Sequence, residues 1–316
     1  MALDLAVVIV TWNVRDLVLD ALDSLYADLA TSELLAEVYV VDSGSSDDTP
    51  DAVSEAFPQV RLIASKENLG FSAANNLALR QIGFGENRSL DTLPRAAYLL
   101  NPDTITQPGA TRALYDTLML NPSAGLVGAR LTYGDSCFQH SAFGFPGLRQ
   151  LWVEFFPTPG RLIEGAFNGR YPRSCYNAGR PFPVDFTLGA TMMLKREVIE
   201  QTGMFDPQFF MYCEEIDWAW RIHKAGWDVL CVPQAHVIHL AGQSASQVRP
   251  QTVLRLWKSR LRLYDKHYPP WKRMIVRLMV AAGMGYRIRR LSRHATDADE
   301  ALRTVYQEIF TLALKR

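Results

Sequence analysis

The chain opens with LDLAVVIVTWN, and that run restricts the fold more than any other feature. Continuous apolar, largely β-branched residues from Leu5 to Val10, ending in Thr11 and Asn13, describe a strand covered on both faces that delivers its last side chains to a sheet edge. Such a strand needs helices on each side of its sheet. Leu17, Ala21, Leu22, Leu25 and Leu29 recur at helical spacing and predict one over 16–29. The scheme then repeats: AEVYVVDSGSSDDT is an apolar strand closed by a turn-forming loop, 51–56 a helix, VRLIAS a third strand, 75–82 a helix and AAYLLNPD a fourth strand. This alternation predicts an α/β fold with a mostly parallel sheet flanked by helices, its ligand at the carboxyl ends of the strands. Asn13, Asp42 and Asp103 fall at those ends.

From about Ser136 to Pro183 the periodicity gives way to aromatics, Gly and Pro, the composition of long loops shaping a second substrate surface. VDFTLGATMMLK, a helix over 196–202, the acidic stretch FFMYCEEIDWAWRIHKAG and a last strand DVLCVP follow. Beyond Pro250 the chain turns basic and helical, breaks at Pro269-Pro270, and ends in a helix near 297–315. A formal net charge of zero conceals this change: residues 249–293 hold 13 Lys and Arg against Asp265 alone, a local +12 that the rest of the chain balances. Two regions with different partners are implied. With 316 residues, 48% hydrophobic and 21% charged, the chain can bury a substantial core. Cys137, Cys175, Cys213 and Cys231 form no CxxC pair, which suits reduced thiols in a cytosol rather than a zinc ribbon or disulfide framework. Neither a signal peptide nor a membrane span is expected, because no apolar run has the flanks of the first or the roughly 20-residue length of the second.

Several polar groups are placed to do chemistry. In VDSGSSDDT, Asp42 closes a strand and can accept hydrogen bonds from a ribose or a pyrimidine imide, whereas Asp47 and Asp48 suit helix capping. In ENLGFSAANN, Gly70 frees the backbone and Ser72 offers a cap, so exposed amides could face a phosphate; such loops are also common without a ligand. Asp103 in LLNPD projects a hard oxygen suited to Mg2+ or Mn2+ bridging a diphosphate, although Asn-Pro-Asp is an ordinary turn as well. His236 and His239 follow the last strand, with Gly242 and Ser244 loosening the chain behind them, and an imidazole there can complete the coordination. Glu214, Glu215 and Asp217 sit among aromatics that raise carboxylate pKa values toward those of a general base. The same acids would favour a helix's first turn, with Arg221 pairing Asp217 four residues back.

Taken in order, VVIVTWN, VVDSGSSDDT, NLGFSAANN, LLNPD, GATMMLKREV through GMFDPQFFMYCEEIDWAWR, and VIHLAGQS resemble family-2 glycosyltransferases of GT-A fold, in particular the bacterial rhamnosyltransferase-like branch. The resemblance covers about residues 5–245. It implies a catalytic domain over 1–245, with a nucleotide-sugar half to about 130 and an acceptor half beyond, followed by a helical extension over 246–316. Thr11, Asn13 and Asp42 would hold the nucleoside and Asn68 and Gly70 would lie near the donor; Ser43, Asn75 and Asn101 complete the candidate donor set. Asp103 resembles the family's metal-binding aspartate and His239 its downstream histidine. The family's base is usually the Asp of an ED pair; here Glu214-Glu215 stands there, so Glu215 takes the position with one extra methylene. The implied activity is inverting transfer of a sugar, rhamnose from dTDP or another dTDP- or UDP-linked sugar, to a saccharide or lipid-linked acceptor in cell-surface polysaccharide synthesis. A binding protein that keeps the donor pocket without turnover is the rival reading. An oxidoreductase on a similar sheet is disfavoured, since no GxGxxG follows the first strand.

The basic region 249–293 lies outside the resemblance. Cations flanking Leu256, Trp257, Leu261, Met274, Leu278 and Val280 suit helices on an anionic membrane surface, or helices docked on the catalytic domain with their charges in water. No nucleic-acid motif accompanies the charge, so none is expected as a partner. The location implied is cytoplasmic, either free or peripheral on the inner face of the cytoplasmic membrane.

Overall fold

A computed structural model describes residues 3–240, 249–291 and 297–315. Gly242 and Ser244, and the Arg293 end of the basic stretch, lie outside the described residues. The elements run β1 (Leu5–Thr11), α1 (Arg15–Ser32), β2 (Ala36–Ser43), α2 (Thr49–Ala56), β3 (Arg61–Ser65), α3 (Gly70–Ile82), β4 (Ala96–Leu100), β5 (Thr104–Thr106), α4 (Ala110–Leu120) and β6 (Ala124–Thr132). The aromatic region holds short pieces, β7 (Phe138–Gln139), β8 (Ala142–Phe143), α5 (Leu148–Phe155), α6 (Gly160–Ile163), α7 (Arg173–Asn177), β9 (Phe182–Val184) and β10 (Phe186–Thr187). The chain continues with β11 (Thr191–Lys195), α8 (Arg196–Thr202), α9 (Glu214–Lys224), β12 (Asp228–His239), α10 (Arg249–His267), α11 (Pro270–Leu291) and α12 (Asp297–Leu314).

The main sheet has the order β3-β2-β1-β4-β11-β6-β12-β5. β1 pairs parallel with β2 and β4, β2 with β3, and β6 with β12, whereas β11 lies antiparallel between β4 and β6. Because β11 reverses direction twice over, β4, β6 and β12 run the same way, so their carboxyl ends share an edge with those of β1 and β2. β1 shows why the opening run is apolar throughout: Ala6 and Val8 enter the core beside α3, α8 and α9, while Leu5, Val7 and Ile9 enter the opposite core beside α1 and α4.

Two elements depart from expectation. α3 begins at Gly70 rather than near 75, because its first donors find partners outside the helix: Gly70 N–H donates to Asn68 Oδ1 at 2.9 Å and Phe71 N–H to the Phe210 carbonyl at 2.8 Å. Ser72 is therefore a fully buried helical residue, not a cap. β12 outruns the expected strand by six residues; an irregularity in its pairing with β6 between Val232 and His236 lets it continue, so both histidines lie within it rather than after it.

The basic helices pack inward through a third core in which Trp257, Leu261, Val276, Val280, Met284 and Ile309 meet Leu151 of α5. Gly283 makes this possible, since a Cβ there would stand 2.2 Å from the Phe155 ring. α10 is tied to the sheet domain by Ser259 Oγ donating to the Met211 carbonyl at 2.8 Å and by His267 Nε2 at 2.7 Å from Asp217 Oδ1.

Candidate active site

The shared strand edge opens into a cavity of about 280 Å3. Thr11 ends β1 and Trp12 follows it, Ser43 ends β2, and Asn101-Pro102-Asp103 follow β4; all line it, with Asn68, Gly70 and Phe71 on one side and Leu188-Gly189-Ala190, Met211, Tyr212, Glu214, Glu215 and His239 on another. Thr252 and Arg255 of α10 close the rim. Asp103 and His239, 136 positions apart in the sequence, meet for a topological reason. β5 starts immediately after Asp103 and pairs antiparallel with the end of β12, with Thr104 opposite His239, so the two side chains emerge side by side. Leu240 N–H secures the crossing by donating to the Asp103 carbonyl at 2.9 Å.

Asp103 Oδ1 and His239 Nε2 stand 3.4 Å apart. Neighbouring ligands about 2.1 Å from one octahedral Mg2+-type ion are separated by about 3 Å, so this pair fits a shared divalent cation. The Gln139 amide lies 3.1 Å from His239 Nδ1 and holds the ring with Nε2 toward Asp103. Among the described residues no group of three His, Cys, Asp or Glu gathers to hold a metal. The pair therefore suits an ion completed by outside oxygens, such as those of a diphosphate, rather than one caged by protein.

Across the cavity α9 presents its first turn. The two residues before it, Tyr212 and Cys213, both have left-handed backbones, at φ 71° and 68°, a costly pair of non-glycine conformations that turns Glu214 and Glu215 into the cleft. The facing loop runs beside Glu215, since a Cβ added at Gly189 would sit in ordinary contact with the Glu215 Cβ, at 3.6 Å. Burial pushes the Glu215 carboxyl up to about 7, even though backbone N–H groups at the helix start pull it down. Glu214 is pushed well above the ordinary carboxylate range, first by burial and then by the charge of Glu215, and its Oε2 has no hydrogen-bond partner among the described residues. Thr11 Oγ1 and Asp42 Oδ1 are likewise buried without partners among the described residues. Buried polar atoms of this kind normally find a partner, and their clustering beside the cavity marks where a polar ligand would supply one.

Thr11, Ser43, Asn68, Gly70, Asn101, Asp103, His239, Glu214 and Glu215 are thus brought together, and four expected residues are not. Asp42 is buried behind the cavity wall, its Oδ2 accepting from Ser45 N–H at 3.0 Å. Asn13 accepts from Ser46 N–H at 2.7 Å and ties the first loop to the second instead of facing the cavity. Asn75 is buried inside α3 and donates to the Phe71 carbonyl at 2.9 Å. Asp217 points the other way along α9, where His267, Lys266 and Arg221 surround it at 2.7, 2.8 and 3.0 Å. The phosphate-facing amides expected near Gly70 are engaged by Asn68 and Phe210; Gly70 is needed because a Cβ would come within 2.5 Å of the Phe210 carbonyl. His236 also stays outside, 2.9 Å from Thr132 Oγ1.

Arg255 is the principal residue that the sequence did not reveal. Its guanidinium lies 4.5 Å over the Phe210 ring at the cleft rim, and nothing in its helical, basic surroundings sets it apart from neighbouring cations. A larger cavity, about 810 Å3, opens beyond Arg255, but three of its cations, Lys258, Lys266 and Arg277, pair with Glu308, Asp206 and Asp265. The smaller cleft is lined by two of the unsatisfied polar groups, Thr11 Oγ1 and Glu214 Oε2.

Comparison with known proteins shows the family and the fold. The chain is 30% identical over 251 residues, 77% of its length and 79% of the relative's, to an N-acetylglucosaminyl-diphospho-decaprenol L-rhamnosyltransferase of Mycobacterium tuberculosis. It is 29% identical over 223 residues, 70% of its length and 62% of the relative's, to the low-salt glycan biosynthesis hexosyltransferase Agl10 of Haloferax volcanii. Among solved structures, GalNAc-T7 with UDP, GalNAc and Mn2+ superposes with a TM-score of 0.58 at 15% identity, covering 99% of this chain and 56% of that one. A Pyrobaculum calidifontis mannosyltransferase in complex with GDP-Man and Mn2+ superposes with a TM-score of 0.53 at 18% identity, covering 99% and 84%. At such identities the two structures speak for the fold alone, which is GT-A. Residues 6–203, the stretch that builds most of the strand edge, match the model of Glycosyl transferase family 2, and the chain belongs to that family.

Proposed function

We propose that this glycosyltransferase works by inverting, metal-dependent transfer of a sugar from a nucleoside diphosphate donor to a saccharide or lipid-linked acceptor in cell-surface polysaccharide synthesis, with dTDP-rhamnose the favoured donor and UDP-linked sugars the alternative. The observation that carries this reading is the convergence, in one cleft, of an Asp103–His239 pair spaced for a divalent cation and a Glu215 carboxyl whose pKa lies near 7. The rhamnosyl choice and the lipid-linked acceptor rest on the name of the Mycobacterium relative.

Thr11, Ser43, Asn68, Gly70 and Asn101 form the donor wall, where Thr11 Oγ1 is the buried group best placed to meet a nucleoside. Asp103 and His239 would hold a divalent cation, Mg2+ or Mn2+, which would supply charge neutralisation for the departing diphosphate. Arg255 adds a fixed cation at the same rim. On the opposite side Glu215 takes the acceptor hydroxyl's proton as that oxygen attacks the anomeric carbon, and a pKa near neutrality suits a base that must be ionised yet still proton-hungry. Direct displacement needs no covalent sugar–enzyme intermediate. A protein that binds donors without turnover is the competing reading, and the position of Glu215 on the cleft wall favours transfer.

A panel of nucleotide sugars screened for thermal stabilisation, with and without Mn2+, followed by transfer assays with the stabilising donor, tests the proposal. Stabilisation by one dTDP- or UDP-sugar that depends on Mn2+ is expected. No stabilisation by any of them would reject it, and stabilisation without transfer would leave the binding protein.

A further inference from the structure

α11 is apolar on two opposite faces, and the described residues cover only one of them. Val276, Val280 and Met284, four residues apart, are buried in the third core. On the other side Trp271, Met274, Leu278 and Tyr286 recur at helical spacing, with Ala282 among them, and the four large side chains keep between 55 and 59% of their surface exposed. A soluble helix ordinarily turns one apolar stripe inward and a polar one outward, so this outer stripe requires an occupant.

The charge on the helix says which. Over Pro270–Leu291 the cations are Lys272, Arg273, Arg277, Arg287, Arg289 and Arg290, and there is no acid. Arg277 and Arg287 turn inward to Asp265 and Glu154. Lys272 and Arg290 flank the stripe, the first 3.6 Å over the Tyr268 ring and the second 5.9 Å over Tyr286. A second copy docked here by a two-fold axis would set cations against cations with no carboxylate on the helix to answer them. No described helix is long and apolar enough to cross a membrane. A one-sided apolar stripe with aromatic residues near both ends and cations at its margins matches a helix lying in the plane of a bilayer interface.

We propose that α11 docks this chain onto the surface of an anionic lipid bilayer, with Trp271, Met274, Leu278 and Tyr286 entering the headgroup region and the flanking cations meeting lipid phosphates. The docking face rests on packing and charge alone and stands independently of the transfer reading.

Flotation of the full chain with vesicles of phosphatidylcholine alone, and with about one-third phosphatidylglycerol, at about 0.1 M and about 1 M salt, tests it. The wild type should float with the anionic vesicles at low salt, and less at high salt. The double variant Trp271→Ser, Leu278→Ser should lose binding by about 10-fold or more while its melting temperature is unchanged, because both side chains already face solvent. Failure of the wild type to float, equal binding to phosphatidylcholine alone, or undiminished binding by the double variant would each overturn the proposal. So would a wild-type dimer that Leu278→Ser dissociates, which would assign the stripe to a second copy. Mn2+-dependent stabilisation by nucleotide sugars, measured on the same preparations, reports on the cleft separately.

Discussion

Glu215 and Asp217 stand two residues apart at the start of one helix, both largely withdrawn from water, yet they are driven in opposite directions. Burial pushes both upward; for Glu215 it prevails over backbone donors and leaves the group near 7. At Asp217 burial is outweighed by hydrogen bonds from His267 and Lys266 and by the Arg221 charge, and the group falls to about 2. One carboxyl is met by backbone donors and faces a cavity; the other is ringed by charged side chains and buckles the basic helices to the sheet domain. Burial therefore makes a reactive acid only where the fold withholds the cations that would quench it.

Glu215→Gln attacks that contrast most directly. Turnover should fall by roughly 100-fold or more, the scale of a lost general base, while donor stabilisation in the thermal assay stays as in the wild type. Near-normal turnover would remove Glu215 from the reaction. Asp217→Asn probes the other member: it leaves Lys266 and Arg221, with the His267 ring beside them, around a neutral amide and should cost about 3 kcal/mol in denaturant unfolding, with turnover per folded molecule little changed. A large loss of turnover at unchanged stability would make Asp217 a reacting group after all.

The pH dependence separates the two carboxyls again. Activity should decline about tenfold per unit as pH falls below about 7, where Glu215 gains its proton. Stability should follow both signs. The depressed Asp217 contributes above its ordinary value of 3.8, and that contribution disappears as pH drops toward about 2. The raised Glu214 and Glu215 contribute fully below 4.5 and lose that contribution as pH rises through about 7 at Glu215. Titrating unfolding free energy in wild type and Glu215→Gln checks this, since the variant should lose part of the decline above 4.5. Glu214→Gln should do least, within about 3-fold in turnover, because an amide keeps the size and one acceptor oxygen of a carboxyl whose charged form burial disfavours. A Glu214→Gln loss as deep as that of Glu215→Gln would mean that the pair acts as one unit.

How far the site could be read beforehand follows from where each residue sits. Thr11, Asp103 and Glu215 could be placed because strand ends and a helix start are legible as changes in periodicity. Nearness in sequence groups Asp217 with Glu214 and Glu215, although 100° per residue sets it about 200° around the helix from Glu215, on the face that α10 covers. Asp42 and Asn75 lie off the cleft lining for a related reason: a polar residue near a strand tip or helix start can bond nearby backbone, as Asp42 Oδ2 and Asn75 do here, and composition cannot separate that use from ligand contact. Arg255 arrives from a helix beyond the matched family region.

The amino-acid order alone determined the layered α/β plan, since a strand apolar at every position is stable only between two covering layers, as the division of β1 between two cores shows. It also determined the basic, helical character of the last third. Tertiary structure alone decided which tips meet and which carboxyl stays unquenched. The antiparallel register of β5 on β12 joins Asp103 to His239, and the docking of α10 engages Asp217 while leaving Glu215 in the cleft. Those outcomes depend on contacts between segments distant in sequence, and a pattern read along the chain carries no information about the charges and cavities that such contacts create.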